Sequence, residues 1–202
     1  VTGAAASFYF DLQSPLAYLA AERVLHVLPG PAQWRPVLAR ELPGAERFEG
    51  YRCGQEQEIF RAEVARRAGE LGLQELRWPD PFPFDSELAL RVATYAASIG
   101  RAVPFAQAAF RQAFAGGRAL DELDNVLIAA AACEMHPSAV KAAATQRGPA
   151  RALAEETARA AELGVHDVPA VSVGEQLFLG ERALERAAAH MLAQTALPSL
   201  SA

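Results

Sequence analysis

The chain is short of the residues from which redox and metal centres are built. It has two cysteines, Cys53 and Cys133, far apart and never in a Cys-x-x-Cys, and four scattered histidines. No metal site is expected, and both cysteines read as small apolar fillers of a reduced interior. Lysine and asparagine are nearly absent, with Lys141 and Asn125 the sole examples. The formal net charge of −5 argues against a nucleic-acid surface, which needs a concentrated basic face. Arginine clusters such as "ARRAGE" (65–70) alternate with glutamate and read as solvated helix faces. Long hydrophobic runs are missing too. The longest, "VLIAAAAC" (126–133), is closed by Glu134, far short of a membrane span. The opening "VTGAAAS" has neither a basic segment nor an apolar core, so a cytoplasmic location is the expectation.

What is present is the balance of a globular protein: 202 residues, 51% hydrophobic and 21% charged. "SFYFDL" (7–12) predicts a strand buried on both faces, "SPLAYLAAERVLHVL" (14–28) a helix, and "AQWRPVL" (32–38) a second strand, parallel to the first. From about residue 54 to 163 helix follows helix. "GQEQEIFRAEVARRAGELG" predicts a glycine C-cap, "RWPDPFPFDS" a rigid loop, and "SELALRVATYAASIG" a helix capped by Ser86. The tail returns to β with "VPAVSVGEQLFLG" (168–180), two strands around Gly174-Glu175, and closes on a helix.

The helix after the first strand begins Ser14-Pro15-Leu16-Ala17. Serine at the N-cap with proline next is a favoured start, and the cap is worth about 1 kcal/mol. The same place attracts anions, because free N–H groups and the helix dipole converge on it. Residue chemistry alone leaves a cap and a working hydroxyl both open.

The two ends together resemble a thioredoxin-like fold. More specifically, "FYFDLQSPLAYLAAERV" and "VHDVPAVSVGEQLFLGERALE" are similar to the DsbA-like family of 2-hydroxychromene-2-carboxylate isomerases and kappa-class glutathione transferases. The resemblance implies an α/β fold class. A thioredoxin-like domain is expected from residues 1–40 and 164–202, carrying a large all-helical insertion at 41–163.

In the redox enzymes of that fold the helix opens with Cys-x-x-Cys. Neither sulfur is present here, so disulfide exchange at these positions is excluded. The resemblance implies instead a glutathione thiolate at the helix start, with Ser14 the catalytic hydrogen-bond donor to its sulfur. Pro169 in "DVPAV" falls where the fold carries a cis-proline, with Val168 offering its backbone to the cysteinyl part of glutathione. Otherwise Pro169 merely begins an edge strand. Gly180, Glu181 and Arg182 are the candidates for the γ-glutamyl end, against a plain acidic first turn.

Two departures from the family stand out. Its relatives show Asp-Arg after the glycine, whereas Glu181-Arg182 sits one place earlier. They also carry a Lys and an Asn after the second strand. Arg40, Arg47, Arg52 and Gln55 are the candidates to replace them, set against ordinary surface roles. In "LRWPDPFPF" (76–84), Trp78 and Phe82 would wall an aromatic substrate and Arg77 pair with its carboxylate, set against packing in core or lid.

The implied protein is a glutathione-dependent isomerase acting on a small aromatic conjugated carbonyl compound, a homodimer with glutathione as cofactor. It has no metal, nucleic-acid or membrane partner. The alternatives are a kappa-like glutathione transferase and a cysteine-less scaffold that only binds.

Overall fold

The structure is a computed structural model that describes residues 5–45, 54–180 and 182–196. Strand β1 (Ala6–Phe10) is buried along its whole length and pairs parallel with β2 (Ala32–Pro36). Its other edge pairs antiparallel with β3 (Ala170–Val173), which forms a hairpin with β4 (Gln176–Leu179). The sheet order is therefore β2-β1-β3-β4. A central strand covered on both faces explains why "SFYF" shows no polar alternation. Gly174, at φ +58, makes the hairpin turn expected at Gly174-Glu175.

Nine helices are described: α1 (Pro15–Ala21), α2 (Val24–Val27), α3 (Gly54–Glu70), α4 (Glu87–Ser98), α5 (Ala102–Phe114), α6 (Leu123–Ala131), α7 (Pro137–Thr145), α8 (Arg147–Glu162) and α9 (Ala183–Ala196). Gly72, at φ +66, follows the end of α3 as a glycine C-cap should. The single helix expected over 14–28 is broken. At the break the Arg23 amide bonds to the Ala20 carbonyl, a three-residue step. There Glu22 is held by Arg111 of α5 at 2.7 Å and Arg23 by Glu185 of α9 at 2.5 Å.

One core runs from the sheet into the helical block. Phe8 and Phe10 of β1 pack on Trp34, Phe10 meets Phe110 at 5.7 Å, and Tyr18 of α1 stacks on Phe114 at 5.6 Å. The opposite face of the sheet is covered by α8, with Tyr9, Val37 and Ala39 packed among Ala160 and Val165. There Arg35 of β2 donates to Ser7 and pairs with Glu156. The helices thus cover the sheet from both sides.

The turn after β2 comes very close to the chain before β3. A Cβ on Gly44 would lie 1.9 Å from the His166 carbonyl oxygen, so only glycine fits there. Gly44→Ala is expected to destabilise the protein by about 2 kcal/mol or more, since backbone cannot yield as a flexible side chain does. Urea unfolding checks this, and a midpoint equal to wild type would show that the turn moves freely.

Candidate functional site

Ser14 occupies the N-cap of α1 with extended backbone, and Pro15 follows as the first helical residue. Its Oγ accepts from the Ala17 N–H at 3.1 Å, so the cap expected from the sequence is real. A hydroxyl also has one proton to donate, and among the described residues that proton has no acceptor. Capping and donating to a ligand are therefore compatible. Ser14 is itself tied down, its N–H donating to the Asp11 carbonyl at 3.0 Å.

Asp11 supports this corner from below. It is 0% exposed, and its two carboxylate oxygens accept from the Gln13 amide at 3.0 Å and the Ala39 amide at 2.8 Å. One side chain thus joins the end of β1, the start of α1 and the turn after β2. Burial pushes its carboxyl above the ordinary aspartate value, and the nearby Ser86 hydroxyl and the two amides offset only part of that.

Ser86 was expected to cap α4. It does not, because its backbone is already helical and its hydroxyl bonds no backbone amide of that helix. Asp85 serves instead, its Oδ1 accepting from the Glu87 N–H at 2.9 Å. Asp11 is the residue of this region that sequence reasoning missed. The available signal was an acidic residue directly after an apolar strand, a costly placement unless its oxygens are satisfied.

The Val168–Pro169 bond is cis, as expected for the turn before β3. The Val168 N–H donates to Asp167 Oδ1 at 2.7 Å, so a ligand strand joining this edge would have to displace that carboxylate.

Beside this turn lies a cavity of about 270 Å³. Leu16, Leu19 and Ala20 of α1, the C-terminal end of α3, Pro169 and Val171, and the start of α9 from Gly180 line it. The tertiary structure thus brings Pro169, Gly180 and Arg182 of the expected glutathione residues into one cavity wall, whereas Ser14 and Val168 do not line it. Glu181 lies outside the described residues. The cavity's charged lining is Arg23 with Glu185, Arg67, Glu70 and Arg182, and Arg67 is held from outside the cavity by Glu63 at 2.8 Å. Burial raises the Glu185 carboxyl, but Arg23, its own backbone amide and Arg182 together hold the group below its ordinary value. An apolar floor edged by arginines and glutamates suits a small flexible ligand that carries charges of both signs.

The remaining expected residues fall elsewhere. Trp78 does not line the cavity. It packs in an aromatic cluster with Phe60, Phe82 and Phe114. Arg77 is exposed and its amide donates to the Phe114 carbonyl. Arg40 is committed to Asp85 and Glu87, and Gln55 is exposed at the start of α3. Arg47, Arg52 and Cys53 lie outside the described residues. Cys133 is buried just beyond the C-terminal end of α6, its Sγ directed to the Ala129 carbonyl, and burial pushes its thiol up, away from reactivity.

Residues 6–192 match the family model of the DSBA-like thioredoxin domain. No curated protein matches the chain in sequence. Among solved structures it is similar to a 2-hydroxychromene-2-carboxylate isomerase, with a TM-score of 0.79 at 19% identity over 98% of this chain and 99% of that one. A probable DsbA oxidoreductase from Streptomyces coelicolor gives 0.77 at 18% identity, over 98% and 93%. The cytosolic disulfide reductase DsbM from Pseudomonas aeruginosa, solved with GSH, gives 0.65 at 16%, over 96% and 100%. At these identities the likeness establishes the fold. Among the described residues no helix is long and apolar enough to cross a membrane.

Proposed function

We propose that this chain, which belongs to the DSBA-like thioredoxin domain family, is a glutathione-dependent isomerase of the 2-hydroxychromene-2-carboxylate isomerase type. The observation that carries the reading is Ser14. It stands at the helix start where a redox member needs a thiol, it caps α1, and it keeps a proton to donate. A serine there cannot exchange disulfides but can hold a thiolate supplied by a cosubstrate. The neighbouring cavity, with Pro169, Gly180 and Arg182 in its wall, supports a peptide-sized cosubstrate that carries charges of both signs. The similarity to DsbM, solved with GSH, supports the same choice.

In this reading glutathione binds as thiolate, with Ser14 and the helix N-terminus lowering its pKa. The sulfur adds to the β-carbon of an aromatic conjugated carbonyl compound, forming a C–S bond and moving the electron pair onto the carbonyl oxygen. The former double bond is now single and rotates. Collapse of the enolate expels the thiolate, breaking the C–S bond and restoring the alkene in its new geometry. No glutathione is consumed. A homodimer and a cytoplasmic location accompany the reading.

The test is to incubate the protein with glutathione and cis-4-phenylbut-3-en-2-one, following alkene geometry by NMR and free thiol by titration. Conversion to the trans isomer at constant thiol is the expected result. Stoichiometric loss of thiol would identify a transferase instead. No conversion, together with no glutathione binding by calorimetry, would leave a binding scaffold.

A further inference from the structure

The two edges of the sheet are finished differently. β2, at one edge, ends on Pro36 and carries Arg35, which is tied to Gln33, Ser7 and Glu156. A proline and a charged side chain are what commonly keep an edge strand from pairing. β4, at the other edge, reads Gln176-Leu177-Phe178-Leu179, with neither charge nor proline. Leu177 and Leu179 pack on one side against the Ala160 and Val165 cluster, and Phe178 meets His190 of α9 on the other at 5.5 Å. All three stay only half-buried.

The hairpin fixes which backbone groups of β4 are free. Gly174 and Glu175 make a two-residue turn, so Val173 and Gln176 close the ladder as a hydrogen-bonded pair. Bonded and non-bonded positions then alternate. Gln176 and Phe178 aim their amides and carbonyls at β3, and Leu177 and Leu179 aim theirs outward. The Leu179 carbonyl accordingly accepts from Arg186 of α9, at 2.6 Å. The Leu177 amide and carbonyl have no partner among the described residues. Two exposed charges flank this edge, Arg186 at one end and Glu175 at the other, and neither has an ion-pair partner among the described residues.

We propose that β4 pairs edge to edge with β4 of a second copy of this chain, about a two-fold axis passing between the two Leu177 residues. A two-fold axis perpendicular to the sheet makes the strands antiparallel, and Leu177, with both groups free, can exchange two hydrogen bonds with its own counterpart. In that register Leu179 falls opposite the partner's Glu175. Arg186, already at the Leu179 carbonyl, thus meets an unpaired carboxylate, and symmetry repeats the pair at the other end. The interface is self-complementary in hydrogen bonding and in charge, and it joins the two sheets into one. It does not rest on glutathione chemistry: a chain that bound no glutathione would pair in the same way.

Sedimentation equilibrium of the full chain at micromolar concentration tests this, with a dimer expected. Leu177→Pro removes the outward amide but no bond to β3, as an edge position allows. It should raise the dissociation constant about tenfold or more, because symmetry deletes two bonds at once. Glu175→Arg and Arg186→Glu each set like charges together at both ends, and each should weaken the dimer. Combining the two reverses both charges and should restore it, and this swap decides the matter if the proline variant fails to fold. A monomeric wild type would overturn the proposal. So would a dimer whose dissociation constant is unchanged in these variants, or a double variant no tighter than the single ones.

Discussion

Ser14→Ala is expected to reduce glutathione-dependent turnover by roughly 10²-fold, the usual loss when one donor to a developing or bound anion is removed. Two distinct quantities should move. The pKa of bound glutathione, read from the ultraviolet thiolate band as pH is raised, should rise, because the hydroxyl that stabilises the sulfur anion is gone. Stability should fall by only about 1 kcal/mol, the worth of the lost bond to the Ala17 amide. Ser14→Asp separates the roles more sharply. Aspartate is a competent N-cap, so stability should largely hold, while its carboxylate repels a thiolate and should abolish glutathione binding. If Ser14→Asp bound glutathione as wild type does, Ser14 would be a cap and nothing else.

The largest stability effect is expected at Asp11. Asp11→Ala leaves the amides of Gln13 and Ala39 buried without an acceptor. Two orphaned donors should cost about 3 kcal/mol or more. For a chain of this size that is a fall in Tm of roughly 6–12 °C. The damage should reach the site, since the same carboxylate joins the start of α1 to the turn after β2.

The pH dependence has a definite sign. Burial raises the Asp11 pKa above its unfolded value, so the folded protein holds the proton more tightly than the unfolded chain. Its contribution is then fully present below the unfolded pKa of 3.8 and declines as pH rises through the folded value. Glu87 and Asp85 have the opposite sign. Their partners Arg91 and Arg40 help hold both below their ordinary values, so they lose stability as pH falls. Comparing wild type with Asp11→Asn by urea unfolding across this range isolates the aspartate. The wild-type advantage should shrink as pH rises, and an advantage that grew toward neutral pH would contradict the assignment.

Much of the protein was legible because the governing physics is local. The uninterrupted apolar run of β1, the serine and proline at the start of α1, the glycine ending α3 and the hairpin at Gly174 are set by neighbours a few residues away. The absence of sulfur from Ser14-Pro15-Leu16-Ala17 excluded disulfide exchange on composition alone. Local rules erred where a distant partner intervened. The helix over 14–28 breaks where Glu22 and Arg23 are held by Arg111 and Glu185. Ser86 forgoes its cap because its neighbour Asp85 supplies one and its own hydroxyl is buried near Asp11.

The sequence by itself thus determined the order of the elements, the fold family and the identity of the hydroxyl at the helix start. Only the tertiary structure decided which side chains share a cavity wall and which strand lies at the open edge of the sheet. It also decided what satisfies the buried Asp11. Those outcomes depend on contacts between segments far apart in the chain, which no local periodicity or cap encodes.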